Sequence, residues 1–120
     1  MTRLRKTATQ KSNTPIVLAN MRDSAEQAAE LLRSIGSTHR LMILCLLDDG
    51  AKTVTELCEG VGARQSLVSQ HLTRLRLDGL VKADRQGHFV HYSLAETPAR
   101  EIVTILHNYY CPAQPGRRDS

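Results

Sequence analysis

A change in the spacing of apolar residues near position 80 most constrains the fold of this chain. Up to Gly79, apolar residues recur at helical spacing, and the last such stretch covers about residues 65–78. After it, two short alternating runs flank the segment Arg85-Gln86-Gly87-His88. Spacing near 3.6 predicts amphipathic helices, whereas alternation on both sides of a glycine predicts a β-hairpin. We therefore expect a group of helices followed by a hairpin.

Capping residues and glycines divide the helical part into four helices, and a fifth follows the hairpin. The first helix is predicted to start at Asp23 or Ser24 and to end at Gly36. The second starts at Ser37 or Thr38, is apolar on nearly all sides, and is expected to be the buried central helix. The third opens at Thr53 or Thr55, the fourth runs from about Gln65 to Asp78, and the last begins at Thr97-Pro98. The predicted fold class is mainly α with a small β-hairpin (α+β), a winged helix-turn-helix of five helices and a two-stranded wing.

Length and charge predict a single domain between two tails. A chain of 120 residues can build one modest core. Residues 1–20 are predicted to be a disordered basic tail, since they carry Arg3, Arg5, Lys6 and Lys11 and no acid. Residues 21–112 are predicted to form the winged helix-turn-helix domain, and residues 113–120 a flexible C-terminal tail. Bases and acids balance over 21–120, so nucleic-acid binding requires a local cluster of bases.

The fourth helix and the hairpin provide such a cluster. A helix that enters the major groove needs an apolar face toward the core and a polar face toward the bases and phosphates. One side of this helix carries Leu67, Val68, His71, Leu72 and Leu75, and we interpret His71 as a packed histidine rather than a base reader. The predicted DNA-binding residues are the polar ones on the other side and at the hairpin tip: Arg64, Gln65, Ser66, Ser69, Gln70, Thr73, Arg74, Arg85, Gln86 and His88.

Several function classes are disfavoured by what the sequence lacks. It shows no glycine-rich phosphate loop, no paired catalytic carboxylates and no histidine cluster, so we do not expect an enzyme, a bound metal or a cofactor. No apolar run approaches the ~20 residues that span a bilayer, so no membrane association is expected. Three cysteines, Cys45, Cys58 and Cys111, are an odd number without CxxC spacing. That favours a reducing, cytoplasmic location over a disulfide-built secreted scaffold.

Three segments together resemble the ArsR/SmtB family of repressors. The stretch Leu67-Val-Ser-Gln-His-Leu-Thr-Arg-Leu-Arg-Leu-Asp-Gly-Leu-Val is similar to the recognition helix and wing entry of that family. Thr38-His-Arg-Leu-Met-Ile-Leu resembles its second-helix opening, and His91-Tyr-Ser-Leu its second wing strand. The resemblance covers about residues 24–111. It implies a homodimer, formed largely by the first and last helices, that represses transcription from double-stranded DNA until an inducer binds. A two-fold dimer in turn predicts a palindromic operator.

The family's metal-ligand sets are incomplete in this chain. Where one metal-sensing class carries Cys-x-Cys before the third helix, the matching residues are Thr53 and Thr55. Where another class carries zinc ligands on the last helix, the corresponding positions are about Glu96, Pro98, Tyr109 and Pro112. Neither metal site is therefore expected.

The cysteine pair Cys45 and Cys111 resembles the sensing dithiol of the BigR/SqrR-like persulfide-sensing subgroup. The two residues are sixty-six positions apart, one in the central helix and one at the end of the last helix. The resemblance implies that persulfides or polysulfides, as reactive sulfur inducers, join the two thiols through bridging sulfur and lower operator affinity. Cys58, beside Leu57 and Val61 on an apolar helical face, is interpreted as structural.

Other readings of the same residues stay open. Cys45 and Cys111, with Cys58 or His107, could instead bind arsenite or a soft metal. The pair could also form a plain disulfide in a peroxide-responsive repressor. From a different class, the chain could be a protein-interaction module that has lost DNA binding, although the basic and polar outer face of the fourth helix argues against that reading.

Overall fold

A computed structural model describes residues 15–110; for residues 15–18 it describes the backbone only. Over these residues the element order is α1 (Pro15–Ile35), α2 (Thr38–Asp48), α3 (Val54–Val61), α4 (Gln65–Leu77), β1 (Val81–Gln86), β2 (Phe89–Leu94) and α5 (Pro98–Tyr110). Five helices and a two-stranded antiparallel hairpin confirm the predicted fold class. None of the helices in this part of the chain is long and apolar enough to cross a membrane.

The first helix begins earlier than predicted. It starts at Pro15 rather than at a cap near Asp23, so residues 15–20, which we assigned to the basic tail, are helical. Proline is tolerated in the first turn because its missing N–H has no intrahelical partner there, and no glycine or proline follows before Gly36. The rest of the predicted N-terminal tail, and the C-terminal tail at 113–120, lie outside the described residues.

The helix starts follow local capping chemistry. The hydroxyl of Ser37 accepts a hydrogen bond from the backbone N–H of Arg40 at 3.4 Å and caps α2. Thr53 caps α3 in a reciprocal box with Glu56, in which side-chain and backbone groups bond at 2.9 and 3.2 Å. After α3 the chain turns through Gly62, whose φ of 76° lies in the left-handed region that favours glycine.

The contacts divide the chain into two compact units, with a boundary between Leu32 and Arg33. The core of the second unit lies between the helices and the base of the hairpin. Its most buried apolar side chains come from α2 through α5: Ile43, Leu44, Leu57, Val68, Leu72, Leu75 and Val103. Helix α2 is less buried than its composition predicts, because Met42 is 38% exposed and Leu41, Cys45 and Leu46 are half-buried. It nevertheless contacts α3, α4, α5 and β2, which makes it the central element of this unit.

The hairpin pairs from Val81 opposite Leu94 to Gln86 opposite Phe89, with Gly87 and His88 as a two-residue turn. Gly87 has a φ of 66° and no non-glycine residue in the described chain has positive φ, as in a turn with glycine at its first central position. A short bridge that the sequence did not predict joins Lys52 to Tyr92 through two backbone hydrogen bonds of 2.8 and 2.9 Å. This bridge ties the segment before α3 to the wing.

Candidate DNA-binding face and cysteine site

Helix α4 has the two faces that the sequence predicts. Val68, Leu72 and Leu75 are at most 2% exposed and dock the helix on the core. The predicted DNA-binding residues are on its other side, and all of them on α4 and at its N-cap are exposed apart from the half-buried Ser69: Arg64, Gln65, Ser66, Gln70, Thr73 and Arg74. The exposed side chains offer both hydrogen-bond donors and acceptors, which base edges and phosphates require.

Two local hydrogen bonds organise this face. The Nε of Arg64 donates to the hydroxyl of Ser66 at 3.1 Å, across the start of α4. The hydroxyl of Thr73 donates to the backbone carbonyl of Ser69 at 3.0 Å, and its oxygen can still accept a further bond. No acidic residue lies in the first turn of α4, and no side chain caps it. The positive end of the helix dipole is therefore not countered there, which favours an approaching phosphate.

The hairpin supplies the rest of the predicted residues. Arg85, Gln86 and His88 are all exposed, and the amide of Gln86 donates to Asp84 at 3.2 Å. Helix α4 packs against β1, so the wing is attached directly to α4. Phe89, beside the turn, is 63% exposed. The alternating pattern after the turn predicts only that Phe89 begins a strand, and no neighbouring residue indicates that its ring is exposed.

A hydrogen-bond network links α4 to the end of α1 and the start of α2, and the sequence did not predict it. Asp78, just after α4, accepts hydrogen bonds from the hydroxyl of Ser34 at 2.7 Å and from the Nε of Arg74 at 2.8 Å. Arg40 donates from its Nε to the carbonyl of Ser34 at 2.8 Å, and its Nη1 lies 3.5 Å from the Nδ1 of His71. The network therefore joins the last turn of α1, the first turn of α2 and the C-terminal half of α4.

Two ionisable groups of this network, His71 on α4 and Asp78 at the C-cap of α4, have shifted pKa values. Burial, and then the charges of Arg40 and His39, lower the pKa of His71. The ring of His39 stacks on that of His71 at a centroid distance of 5.5 Å. Burial acts to raise the pKa of Asp78, but the hydrogen bonds from Ser34 and Arg74 and the charges of Arg74 and Arg40 outweigh it, so this pKa lies below its usual range. At neutral pH the network thus contains a neutral imidazole and an ionised carboxylate.

Of the two cysteines of the predicted sensing pair, only Cys45 is among the described residues. Cys45 lies on α2 and is half-buried, whereas Cys111 lies just outside the described residues. The next turn of α2 contacts α5: Asp48 accepts a hydrogen bond from the hydroxyl of Thr104 at 2.9 Å and lies 3.3 Å from the Nδ1 of His107. His107, which the sequence offered only as an alternative soft-metal ligand, thus contacts a carboxylate of α2. Cys58, on α3, is a half-buried free thiol.

Within residues 15–110, no three His, Cys, Asp or Glu side chains lie close enough together to hold a metal ion.

The last helix leaves apolar side chains uncovered in the single chain. Ile105, Tyr109 and Tyr110 are between 61% and 80% exposed, the two tyrosines having ring centroids 5.9 Å apart. On α1, Met21 and Leu32 are each 55% exposed.

Comparison with known proteins places this architecture among bacterial regulators. A model of the arsR family of bacterial regulatory proteins matches residues 37–83. The transcriptional activator HlyU of Vibrio cholerae is 37% identical over 99 residues, which are 82% of this chain and 92% of HlyU.

Two solved structures agree in fold. Reduced HlyU from Vibrio cholerae has a TM-score of 0.74 at 36% identity, over 78% of this chain and 98% of the other. The transcriptional repressor BigR from Xylella fastidiosa has a TM-score of 0.73 at 30% identity, over 85% and 98%. These relatives are transcription regulators rather than enzymes. The chain belongs to the arsR family of bacterial regulatory proteins and is a winged helix-turn-helix, DNA-binding transcription regulator.

Proposed function

We propose that the chain is a cytoplasmic, homodimeric repressor that binds a palindromic operator and is released when reactive sulfur species bridge Cys45 and Cys111. The exposed polar face of α4, with the wing attached to it, supports the DNA-binding part. Arg64, Arg74 and Arg85 place positive charge on both reading elements, and all three are exposed. HlyU is described as an activator and BigR as a repressor, so the direction of regulation is part of the proposal.

The exposed apolar side chains of α5 support a dimer. A single chain leaves Ile105, Tyr109 and Tyr110 largely in water, and aromatic side chains of this size are enriched in protein interfaces. A second copy would cover them and would present two α4 helices to successive major grooves, about 34 Å apart on one side of the DNA. Light scattering of the purified chain tests the dimer, and an I105E substitution is expected to shift it toward monomer.

The contact between Asp48 and α5 supports the cysteine pair. Cys45 precedes Asp48 by three residues, about one turn of α2, and Cys111 follows His107 by four positions in the sequence. Each cysteine is therefore at most four positions in the sequence from a residue whose contact holds α2 and α5 together. Cys45 is also half-buried rather than fully buried.

The chemistry balances if the inducer is an organic polysulfide. One cysteine thiolate attacks a sulfur next to the end of the polysulfide chain, an S–S bond breaks, and one thiolate leaves. The second cysteine thiolate then attacks the last internal sulfur of the bound chain and expels the other thiolate. The polysulfide is reduced to two thiolates, and the cysteine pair is oxidised by two electrons. The product is a bridge of the internal sulfur atoms between Cys45 and Cys111.

Intact-mass analysis and a DNA mobility shift, before and after treatment with an organic polysulfide, test the function. The wild type and the matched control C58S are expected to gain sulfur atoms, lose two hydrogens and release upstream DNA. C45S and C111S are expected to stay bound. Normal release by either of these two variants would overturn the dithiol mechanism. Loss of two hydrogens without added sulfur would instead indicate a peroxide-type disulfide, and stoichiometric metal in the purified protein a soft-metal sensor.

A further inference from the structure

The carboxylate of Asp78 connects an arginine of the predicted DNA-binding face to the protein interior. Its Oδ2 accepts one hydrogen bond from Arg74, on the outer side of α4, and another from Ser34, on the last turn of α1. Ser34 is 1% exposed, whereas the side chain of Arg74 is 44% exposed. Asp78 thus bonds on one side to a buried hydroxyl and on the other to a guanidinium that faces solvent.

The Ser34 side of this connection is itself held in place. Arg40 donates to the backbone carbonyl of Ser34 at 2.8 Å and to that of Arg33 at 3.3 Å, so a cation closes the C-terminal end of α1. Asp78 also donates its own backbone N–H to the carbonyls of Arg74 and Arg76 as the C-cap of α4. Its carboxylate is therefore fixed by its backbone and by a buried hydrogen-bond donor.

The ion pair between Arg74 and Asp78 is not explained by its effect on stability. Exposed ion pairs four residues apart on a helix contribute little to the free energy of unfolding. Its effect on the orientation of the Arg74 guanidinium explains it better. Because the Nε of Arg74 is bonded to Asp78, the two terminal nitrogens of the planar guanidinium remain to donate elsewhere, in a direction set by the fixed carboxylate.

We propose that Asp78, anchored by Ser34, is a positioning residue that holds the guanidinium of Arg74 ready to bind a DNA phosphate. This inference rests on the proposed DNA-binding function. A long arginine side chain that is already ordered loses less conformational entropy when the complex forms. Two copies of the arrangement act in a dimer, so loss of the anchor is expected to weaken DNA binding by about 5-fold to 100-fold.

The charge of Asp78 makes the test sharp, because a merely electrostatic role predicts the opposite sign. An acidic residue near DNA repels phosphates, so D78N, which removes two negative charges from the dimer, would tighten binding if charge alone mattered. If Asp78 positions Arg74, D78N weakens binding in spite of that charge. S34A removes the anchoring hydroxyl without any change of charge and is expected to weaken binding in the same direction.

The experiment measures DNA affinity by fluorescence anisotropy for wild type, D78N, S34A, R74Q and the double variant R74Q/D78N. The probe is a labelled duplex from the DNA upstream of the gene, and circular dichroism confirms that each variant is folded. D78N is expected to weaken binding at least about fivefold in the wild-type background and not to weaken it in the R74Q background.

The outcomes separate this inference from the proposed function. Unchanged or tighter binding by D78N would overturn it, and so would a D78N loss that persists in the R74Q background, since the residue would then act on something other than Arg74. Failure of the wild-type dimer to bind any duplex would overturn the proposed DNA-binding function itself.

Discussion

Replacing Arg85 with glutamine is expected to make DNA binding less sensitive to salt. Arg85 is exposed at the end of β1, next to the turn of the wing, where its guanidinium can reach a phosphate that flanks the major groove. Each phosphate that a protein neutralises on duplex DNA contributes about −0.9 to the slope of log affinity against log salt concentration. The proposed dimer has two wings, so R85Q is expected to make that slope shallower by about 1.8.

This change of slope gives a measurable difference in affinity. Between about 50 and 200 mM salt, a slope difference of 1.8 means that the variant loses about 12-fold less affinity than the wild type. The affinity at low salt falls at the same time, and it falls on operator and random DNA alike, because a phosphate contact carries no sequence information. Fluorescence anisotropy of a labelled random duplex over a series of salt concentrations measures the slope without knowledge of the operator.

A matched variant controls for net charge. R100Q removes the same charge from α5, where Arg100 pairs with Glu96 at 2.8 Å. Its slope is expected to stay close to that of the wild type. If R85Q leaves the slope unchanged, the wing does not hold a phosphate through this residue. An equal change in R100Q would show that overall charge, rather than a contact at the wing, sets the salt dependence.

Two further predictions concern residues that hold α4 against the rest of the domain. Leu72, on α4, is 2% exposed, and L72A is expected to lower the free energy of unfolding by about 2–5 kcal/mol, measured by urea titration. A loss below about 1 kcal/mol would contradict the packing described for α4. Burial and the charges of Arg40 and His39 lower the pKa of His71 below the value of 6.5 for an unfolded histidine. The unfolded chain therefore binds a proton at this residue more readily than the folded protein, and His71 lowers the free energy of unfolding as the pH falls below about 6.5. Above that pH it has no such effect. H71Q should therefore lose less stability than the wild type between pH 7.5 and 5.5, and equal losses in the two proteins would refute the shift.

The parts of the fold that the sequence predicted correctly depend on local chemistry. The buried face of α4, the turn at Gly87 and the start of α3 at Thr53 each follow from residues within a few positions of one another. The start of α1 did not follow, because an N-terminal segment with a tolerated proline can be helical or irregular without any change in the local pattern. The strand-like bridge between Lys52 and Tyr92 was also missed, since its partners are forty positions apart.

In the candidate site, too, local features could be predicted from the sequence and long-range contacts could not. Exposure of the polar face of α4 could be predicted from helical spacing alone, and the structure places those side chains on the solvent side. The bond between Ser34 and Asp78 spans 44 positions, and neither residue carries a local signal that it has a distant partner. The same is true of Asp48 and His107, which are 59 positions apart. A hydrogen-bond network that the tertiary fold assembles is therefore the part that this sequence could not reveal.

If the proposed sulfur bridge forms at Cys45, α2 is the element that connects it to the predicted DNA-binding face. At its start, Arg40 binds the end of α1 and approaches His71 of α4, and at its end Asp48 binds Thr104 and His107 of α5. A helix of eleven residues is about 16 Å long, and close packing in protein interiors favours movement of such a helix as one body. A bridge alters DNA affinity only to the extent that its stability differs between the bound and free arrangements of the protein. If bridged and reduced protein keep α2 in the same place relative to α4, a change in affinity has to arise in the contacts between the two copies instead.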